Sequence, residues 1–209
     1  MNKMNITSLL LGMVQTNCYL IQNKDTQEVL IVDPADNAGR IQQKLQEMGG
    51  KAVAILLTHG HFDHMMAAGE LRDSLGISIY ACSQEERLLE DSGLNLSGGW
   101  AAPCTLKADV LVKEGQELTL GGFIIRVMHT PGHTAGSCCY YFPQEDVLIS
   151  GDTLFEGSVG RTDFPTSSGG DMMRSLHRLL AELPQETRVF PGHGGETTIG
   201  YEKRYNPFA

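Results

Sequence analysis

An α/β fold with two β-rich halves is predicted by three observations. Strand-like runs surround a helical stretch in the first 57 residues, and a second group of short strand-like runs fills residues 110–150 ahead of another helix. No Pro/Gly/Ser-rich or low-complexity linker divides the chain, so residues 1–209 read as one domain.

The runs Ile6–Leu11, Cys18–Gln22 and Val29–Val32 have the length and turn spacing of a β-meander, which closes on Asp33-Pro34. Asp36 stands where a helix N-cap belongs. Ile41, Leu45 and Met48 share a helical face, and Gly49-Gly50 supplies the stop. Ala52–Leu57 follows as an apolar strand. Strand, helix and strand in this order resemble a βαβ unit, whose strand C-termini are where α/β folds build sites.

Ala67–Leu75 reads as a helix, Ile77–Ala81 as a strand and Ser83–Glu90 as a helix, with Ser83 and Glu86 at capping-box spacing. The patterning lapses from Asp91 to Asp109, a long loop holding Gly98-Gly99-Trp100 and Pro103. Strands resume at Val110–Val112, Glu117–Leu120, Phe123–Met128, Ser137–Phe142 and Val147–Ser150, with Gly121-Gly122 as a hairpin turn. A helix over Asp171–Leu183 aligns Met172, Leu176, Leu179, Leu180 and Leu183. The short strand Arg188–Phe190 then runs into Pro191-Gly192-His193.

Composition narrows the function classes. With 41% hydrophobic and 20% charged residues the chain can bury a core, and a net charge of −9 argues against a general nucleic-acid binder. No apolar run approaches the roughly 20 residues of a membrane span, and Ile6–Leu11 is too short for a signal-peptide core. Five cysteines without C-x-x-C spacing suggest free thiols in a reducing compartment. The expected location is the cytoplasm, with no membrane or nucleic-acid partner; oligomeric state is left open.

The most informative segment is Thr58-His59-Gly60-His61-Phe62-Asp63-His64, three imidazoles and a carboxylate at the end of an apolar strand. Crowding three of seven histidines into one turn serves no packing purpose, whereas imidazole is the commonest metal ligand near neutral pH. His133, Asp152 and His193 each lie in a glycine-bearing turn next to a strand, where a short side chain can enter a cleft. Four donors close a structural zinc site and three leave a catalytic one open. His59, His61, His64, His133, His193, Asp63 and Asp152 are too many for one ion but suit two ions about 3.5–4 Å apart. In the first cluster, His59 and His61 reach toward one ion and Asp63 with His64 toward the other. His129 at a strand end is at most a hydrogen-bond partner of a ligand loop, and His177 lies on the last helix. Cys138 and Cys139 face opposite sides of one strand as core residues.

The order His59-x-His61-x-Asp63-His64, His133, Asp152, His193 resembles the metallo-β-lactamase superfamily over essentially the whole chain. That resemblance implies an αβ/βα four-layer sandwich of two mixed β-sheets with outer helices. It implies His59, His61 and His133 on a first metal, Asp63, His64 and His193 on a second, and Asp152 bridging both. The implied cofactor is two divalent ions, zinc by preference, with iron or manganese as alternatives; such a pair generates hydroxide at neutral pH, which Asp63 would orient as the catalytic carboxylate. His61 sets the chain apart from flavodiiron proteins, and Asp152 from class B1 and B3 β-lactamases.

Thr16-Asn17-Cys18-Tyr19-Leu20, the run Phe155–Pro165 and the tail Thr197–Phe208 are similar to the glyoxalase II-like group, here without its C-terminal helical extension. That group hydrolyses thioesters, typically S-(2-hydroxyacyl)glutathione, so the implied partner is a small-molecule thioester. Met66 stands where the motif usually has Gly. The alternative enzyme is a persulfide dioxygenase-like protein with a single iron on His59, His133 and Asp152, which Gly160-Arg161-Thr162-Asp163-Phe164 also resembles. A non-enzymatic alternative is a binding module that the metal only staples. Arg161 and Asp163 read either as a buried pair organising their loop or as substrate contacts, and Trp100 either as a cleft wall or as packing.

Overall fold

The computed structural model describes residues 3–209, and its strands form two mixed six-stranded sheets. The first contains β1 (Met4–Leu11), β2 (Thr16–Asn23), β3 (Glu28–Val32), β4 (Lys51–Leu56), β5 (Ser78–Cys82) and β6 (Val110–Val112) in sequence order. Its first three strands are the antiparallel meander, and β3 to β6 pair in parallel through helical crossovers. Between them run α1 (Ala38–Glu47), α2 (Phe62–Met65), α3 (Ala68–Leu75), α4 (Glu86–Leu89) and α5 (Ser97–Trp100).

The second sheet is built from β7 (Glu117–Leu120), β8 (Phe123–His129), β9 (Cys138–Phe142) and β10 (Val147–Gly151). A small hairpin, β11 (Leu154–Phe155) and β12 (Ser158–Val159), precedes α6 (Gly169–Glu182), β13 (Arg188–Pro191), β14 (Thr197–Thr198) and α7 (Ile199–Tyr205). The order in this sheet is β14-β13-β10-β9-β8-β7, with β10 and β13 parallel. Gly121 and Gly122 turn β7 into β8 with φ of 58° and 71°, the left-handed pair a two-residue hairpin requires.

The period-two alternation of strands assigns their side chains to layers. Leu30 and Val32 of β3 meet Ile125, Val127, Tyr140 and Phe142 between the sheets. Val29 and Ile31 face outward onto Ile41 and Leu45 of α1 and Leu71 of α3. On the far side, Cys139 and Tyr141 pack against Leu176, Leu179 and Leu180 of α6, while Cys138 joins the central layer. The four-layer αβ/βα sandwich and the opposed cysteines are therefore as the sequence implies.

Several local expectations need correction. Asn37, not Asp36, caps α1: its φ is 53°, its side chain accepts the Arg40 N–H, and Asp36 accepts the Asn37 N–H at 2.7 Å. Asn tolerates this left-handed backbone better than most residues. The Ser83/Glu86 capping box does not form; Ser83–Glu85 is a 3₁₀ turn with no side-chain cap, and the Ser83 hydroxyl turns to Gln84. The expected loop over Asp91–Asp109 contains α5, where Asn95 accepts the Ser97 N–H and donates to the Cys104 carbonyl.

Candidate metal centre

Every loop that carries a predicted ligand leaves a strand at the same rim of the two sheets. The His59–His64 segment follows β4, His133 lies between β8 and β9, Asp152 follows β10 and His193 follows β13. Hydrogen bonds across the sandwich lock this rim. The Cys138 N–H donates to the Thr58 carbonyl at 2.8 Å, and the Tyr140 hydroxyl to the Leu57 carbonyl at 2.9 Å. The Asn17 N–H donates to Gly192, and the Tyr19 hydroxyl to Pro191.

All seven predicted residues come together. Three overlapping groups have ligand atoms within 4.8 Å of one another: His59, His61 and His133; His59, His64 and Asp152; Asp63, His64 and His193. Asp152 reaches both sides, with Oδ1 3.4 Å from His64 Nε2 and Oδ2 3.5 Å from both His133 Nε2 and His193 Nε2. His59, His61, His64 and His133 are buried, whereas the side chains of Asp63 and His193 remain 15% and 26% exposed. The cluster thus opens to solvent on its Asp63–His193 side.

Neighbours aim the rings. His64 donates Nδ1–H to the Asp33 carboxylate at 2.9 Å, and His133 donates Nδ1–H to the Arg161 carbonyl at 2.8 Å. With Nδ1 held in this way, each ring points Nε2 toward the cluster, the usual arrangement around bound metals. Thr16 donates to Asp63 Oδ2 at 2.8 Å, and Phe164 packs edge-on against His61.

Electrostatics divide the cluster. Burial, reinforced by neighbouring imidazoles, holds His59 well below its ordinary pKa and His61 down to about 3, so both are neutral donors. Burial also penalises charge on His64 and His193, but Asp63 and Asp152 prevail, with Asp33 adding to the effect on His64; the two rise to about 9 and about 10. Burial would raise Asp63 and Asp152, yet His64 and His193 hold both carboxylates below the usual range. A cation entering here displaces protons from His64 and His193.

Whether the donors fit a metal is tested by what they lack. Among the described residues, six buried side-chain nitrogen or oxygen atoms have no hydrogen-bond partner. Four of them are His59 Nε2, His61 Nε2, His64 Nε2 and Asp152 Oδ1. Leaving such an atom unpaired costs roughly 1–3 kcal/mol. Concentrating four in one pocket is unfavourable unless a cation satisfies them. Five imidazoles and two carboxylates in overlapping triads fit a binuclear site.

A family model described as "Metallo-beta-lactamase superfamily" matches residues 11–193. The chain belongs to this superfamily. Among curated relatives, the probable metallo-hydrolase YqgX of Bacillus subtilis is 40% identical over 199 residues, 94% of this chain and 93% of that protein. Hydroxyacylglutathione hydrolase GloC of Haemophilus influenzae is 35% identical, covering 98% of both. Among solved structures, the BLEG-1 B3 metallo-beta-lactamase superposes with a TM-score of 0.93 at 41% identity, spanning 98% of this chain and 99% of that one. TTHA1623 in a di-iron-bound form gives 0.87 at 37% identity, spanning 97% and 100%.

In this member of the superfamily, the residues that hold the ligands carry little signal in the sequence itself. Asp33, read only as a strand end, is 1% exposed and accepts the Thr58 N–H, the Thr58 hydroxyl and His64. Glu85, read as part of a helix, accepts the Gly60 N–H at 2.9 Å and the Thr134 hydroxyl at 3.0 Å, joining two ligand loops. For Thr16, Asn17 and Tyr19 the available signal was their place in a strand-like apolar run, since polar residues inside a fully buried strand need partners. His129 Nε2 donates to the Ala135 carbonyl of the ligand loop at 2.9 Å, and His177 is exposed. Arg161 and Asp163 are paired as expected but exposed rather than buried, and Trp100 is 62% exposed at the cleft mouth rather than packed inside.

Two predictions arise here. A Cβ on Gly192 would overlap the Asp152 carboxylate and lie 2.7 Å from His64 Cε1. Gly192→Ala is therefore expected to destabilise the fold by about 1–3 kcal/mol and to lower metal stoichiometry, read by thermal melts and elemental analysis. Glu85 is pushed up to about 7 by burial, against its hydrogen bonds from Gly60, Thr134 and Gly136. The folded chain then holds a proton that the unfolded chain releases, so the Glu85 contribution to the stability of the metal-free protein falls as pH rises from about 4.5 to about 7 and changes no further above. Glu85→Gln should remove that slope in melting temperature; an unchanged slope would assign it to another group.

Proposed function

We propose that the chain is a dinuclear metal-dependent hydrolase of thioesters, with zinc the preferred ion. We assign His59, His61 and His133 to one metal, Asp63, His64 and His193 to the other, and Asp152 to both. When bound, the two ions supply a hydroxide near neutral pH and an electrophile for the carbonyl. The observation that carries the reading is the state of the carboxylates at the cleft floor. Asp63 and Asp152 are both held ionised, and the other cleft-lining residues that titrate are cluster histidines and Arg161. With the histidines and both carboxylates engaged as metal ligands, none is left over as a proton donor to a leaving group. A thiolate, whose conjugate acid has a pKa near 8.5, departs without one, whereas an amide nitrogen does not.

Asp63 is the reacting-side carboxylate because it is the more exposed of the two, held by Thr16 and 3.3 Å from His193 Nε2. Its part is to accept a hydrogen bond and orient the nucleophile. The similarity to GloC supports a thioester, and the di-iron form of TTHA1623 supports two metals over one. The single-iron oxygenase would leave Asp63 and His193 without a task. A second reading, β-lactam hydrolysis, is favoured by the similarity to BLEG-1. Free thiols at Cys18, Cys82, Cys104, Cys138 and Cys139 support a cytoplasmic setting, and no described helix is long and apolar enough to cross a membrane.

The deciding experiment is a panel on zinc-, iron- and manganese-loaded protein, with metal counted in the same preparation. It comprises S-lactoylglutathione, acyl-CoA, neutral thioesters, a penicillin and a carbapenem, with oxygen uptake followed in parallel. Thioester turnover with two ions per chain is expected. Turnover of β-lactams alone, or oxygen consumption with one iron, would overturn the reading.

A further inference from the structure

We infer that the cleft over the centre takes a thioester whose two arms are uncharged and largely apolar, not one carried on a polyanionic thiol. This rests on the thioester reading and concerns what the walls of the same site select. The cleft is about 420 Å³, within the range of small-molecule sites. Its walls above the ligands are mainly apolar, Val14, Phe62, Leu96, Trp100, Phe155 and Phe164 among them, with Ser158 as the uncharged polar residue. Val14 and Trp100 remain 44% and 62% exposed at the mouth, apolar surface that a substrate arm would cover.

Charge points the same way. A carrier bearing phosphates or several carboxylates needs cations with unspent hydrogen bonds. Arg161 is the only Lys or Arg among the described residues lining the cleft. Its Nε and Nη2 already donate to the two oxygens of Asp163 at 2.6 and 2.7 Å, and its guanidinium stacks on Phe164 at 4.3 Å. The cleft's one Lys or Arg charge is thus partly offset by its own loop, with two of its five N–H donors already engaged. The chain's net charge of −9 opposes anionic substrates further. The remaining charges in the cleft belong to the centre itself.

Trp100 is the only tryptophan of the chain and stands at the cleft mouth, so its fluorescence reports occupancy without turnover. Two thioethers with the same apolar arm separate the carriers: S-hexyl-N-acetylcysteamine is neutral, and S-hexylglutathione is anionic. In titrations of the metal-loaded protein the neutral probe should bind at least about tenfold more tightly. Equal or tighter binding of S-hexylglutathione would overturn the inference. Asp163→Ala frees Arg161 at an exposed position, and should improve S-hexylglutathione relative to the neutral probe by about threefold. An unchanged ratio would overturn the masking argument. The matching hexanoyl thioesters should show the same order in kcat/KM. If neither is hydrolysed, the hydrolase reading falls while the binding titration still decides what the cleft accepts.

Discussion

Asp152→Ala is expected to remove hydrolysis and bound metal together, with a loss in kcat/KM beyond about a hundredfold. Changing a residue that only positions a ligand already costs about 10–100-fold, and Asp152 contacts both sides of the cluster directly. Its removal leaves five imidazoles gathered around one remaining carboxylate. It also removes the main hydrogen-bonding partner that keeps His193 basic, along with part of the field that does so for His64. His59→Ala should act similarly, because His59 belongs to two of the three ligand groups. Elemental analysis beside kcat/KM, with circular dichroism to verify folding, checks both. A folded Asp152→Ala protein that keeps full activity after chelation would end the metal-hydrolase proposal.

Asp33→Ala should produce the second large effect without touching the cleft. Three buried donors lose their charged acceptor at once, a cost on the order of 3 kcal/mol in stability. His64 is then free to rotate, and metal affinity should fall by about 10–100-fold. Asp33→Asn separates the two consequences. Asn accepts the backbone φ of 47° at this position and can still accept the Thr58 N–H. Its amide, however, presents N–H to His64 Nδ1, which must become the acceptor, so the proton moves to Nε2 and the lone pair facing the cluster is lost. The Asn variant should melt closer to the parent than the Ala variant yet remain poor in metal, as read by competition with a chromophoric chelator. Parental metal affinity in Asp33→Asn would show that the tautomer of His64 does not matter.

The elements legible from sequence were those whose evidence is local and repetitive. The meander, α1, the second-half strands, the Gly121-Gly122 turn and α6 follow from apolar period, strand length and turn residues, and their bounds shift by only one or two positions. The C-terminal β14 and α7, the β11–β12 hairpin, and α5 were not legible as elements. They are two to seven residues long and held by side-chain contacts to distant segments, such as Glu202 to the Gly157 N–H and Asn206 to the Ser158 carbonyl. The failed capping box has the same cause. Glu85, in the turn that should have opened that helix, is drawn inward to Gly60 and Thr134, and a propensity of a few tenths of a kcal/mol cannot oppose a buried hydrogen-bonded carboxylate.

By itself the sequence determined which residues could bind metal. Three imidazoles and a carboxylate within one turn, followed by His133, Asp152 and His193 in glycine-bearing turns, are a chemical statement that no folding calculation is needed to read. Only the tertiary structure decided that these four segments, up to 134 positions apart in the chain (His59 to His193), meet at one rim of the sandwich. It also decided that Asp33, Glu85 and Thr16 hold them, and that Arg161 pairs with Asp163. The physical reason is that ligand identity is a property of one side chain. Orientation, protonation and freedom to bind are properties of whichever groups lie within about 3 Å, and those neighbours are assembled by sheet packing rather than by adjacency in the chain.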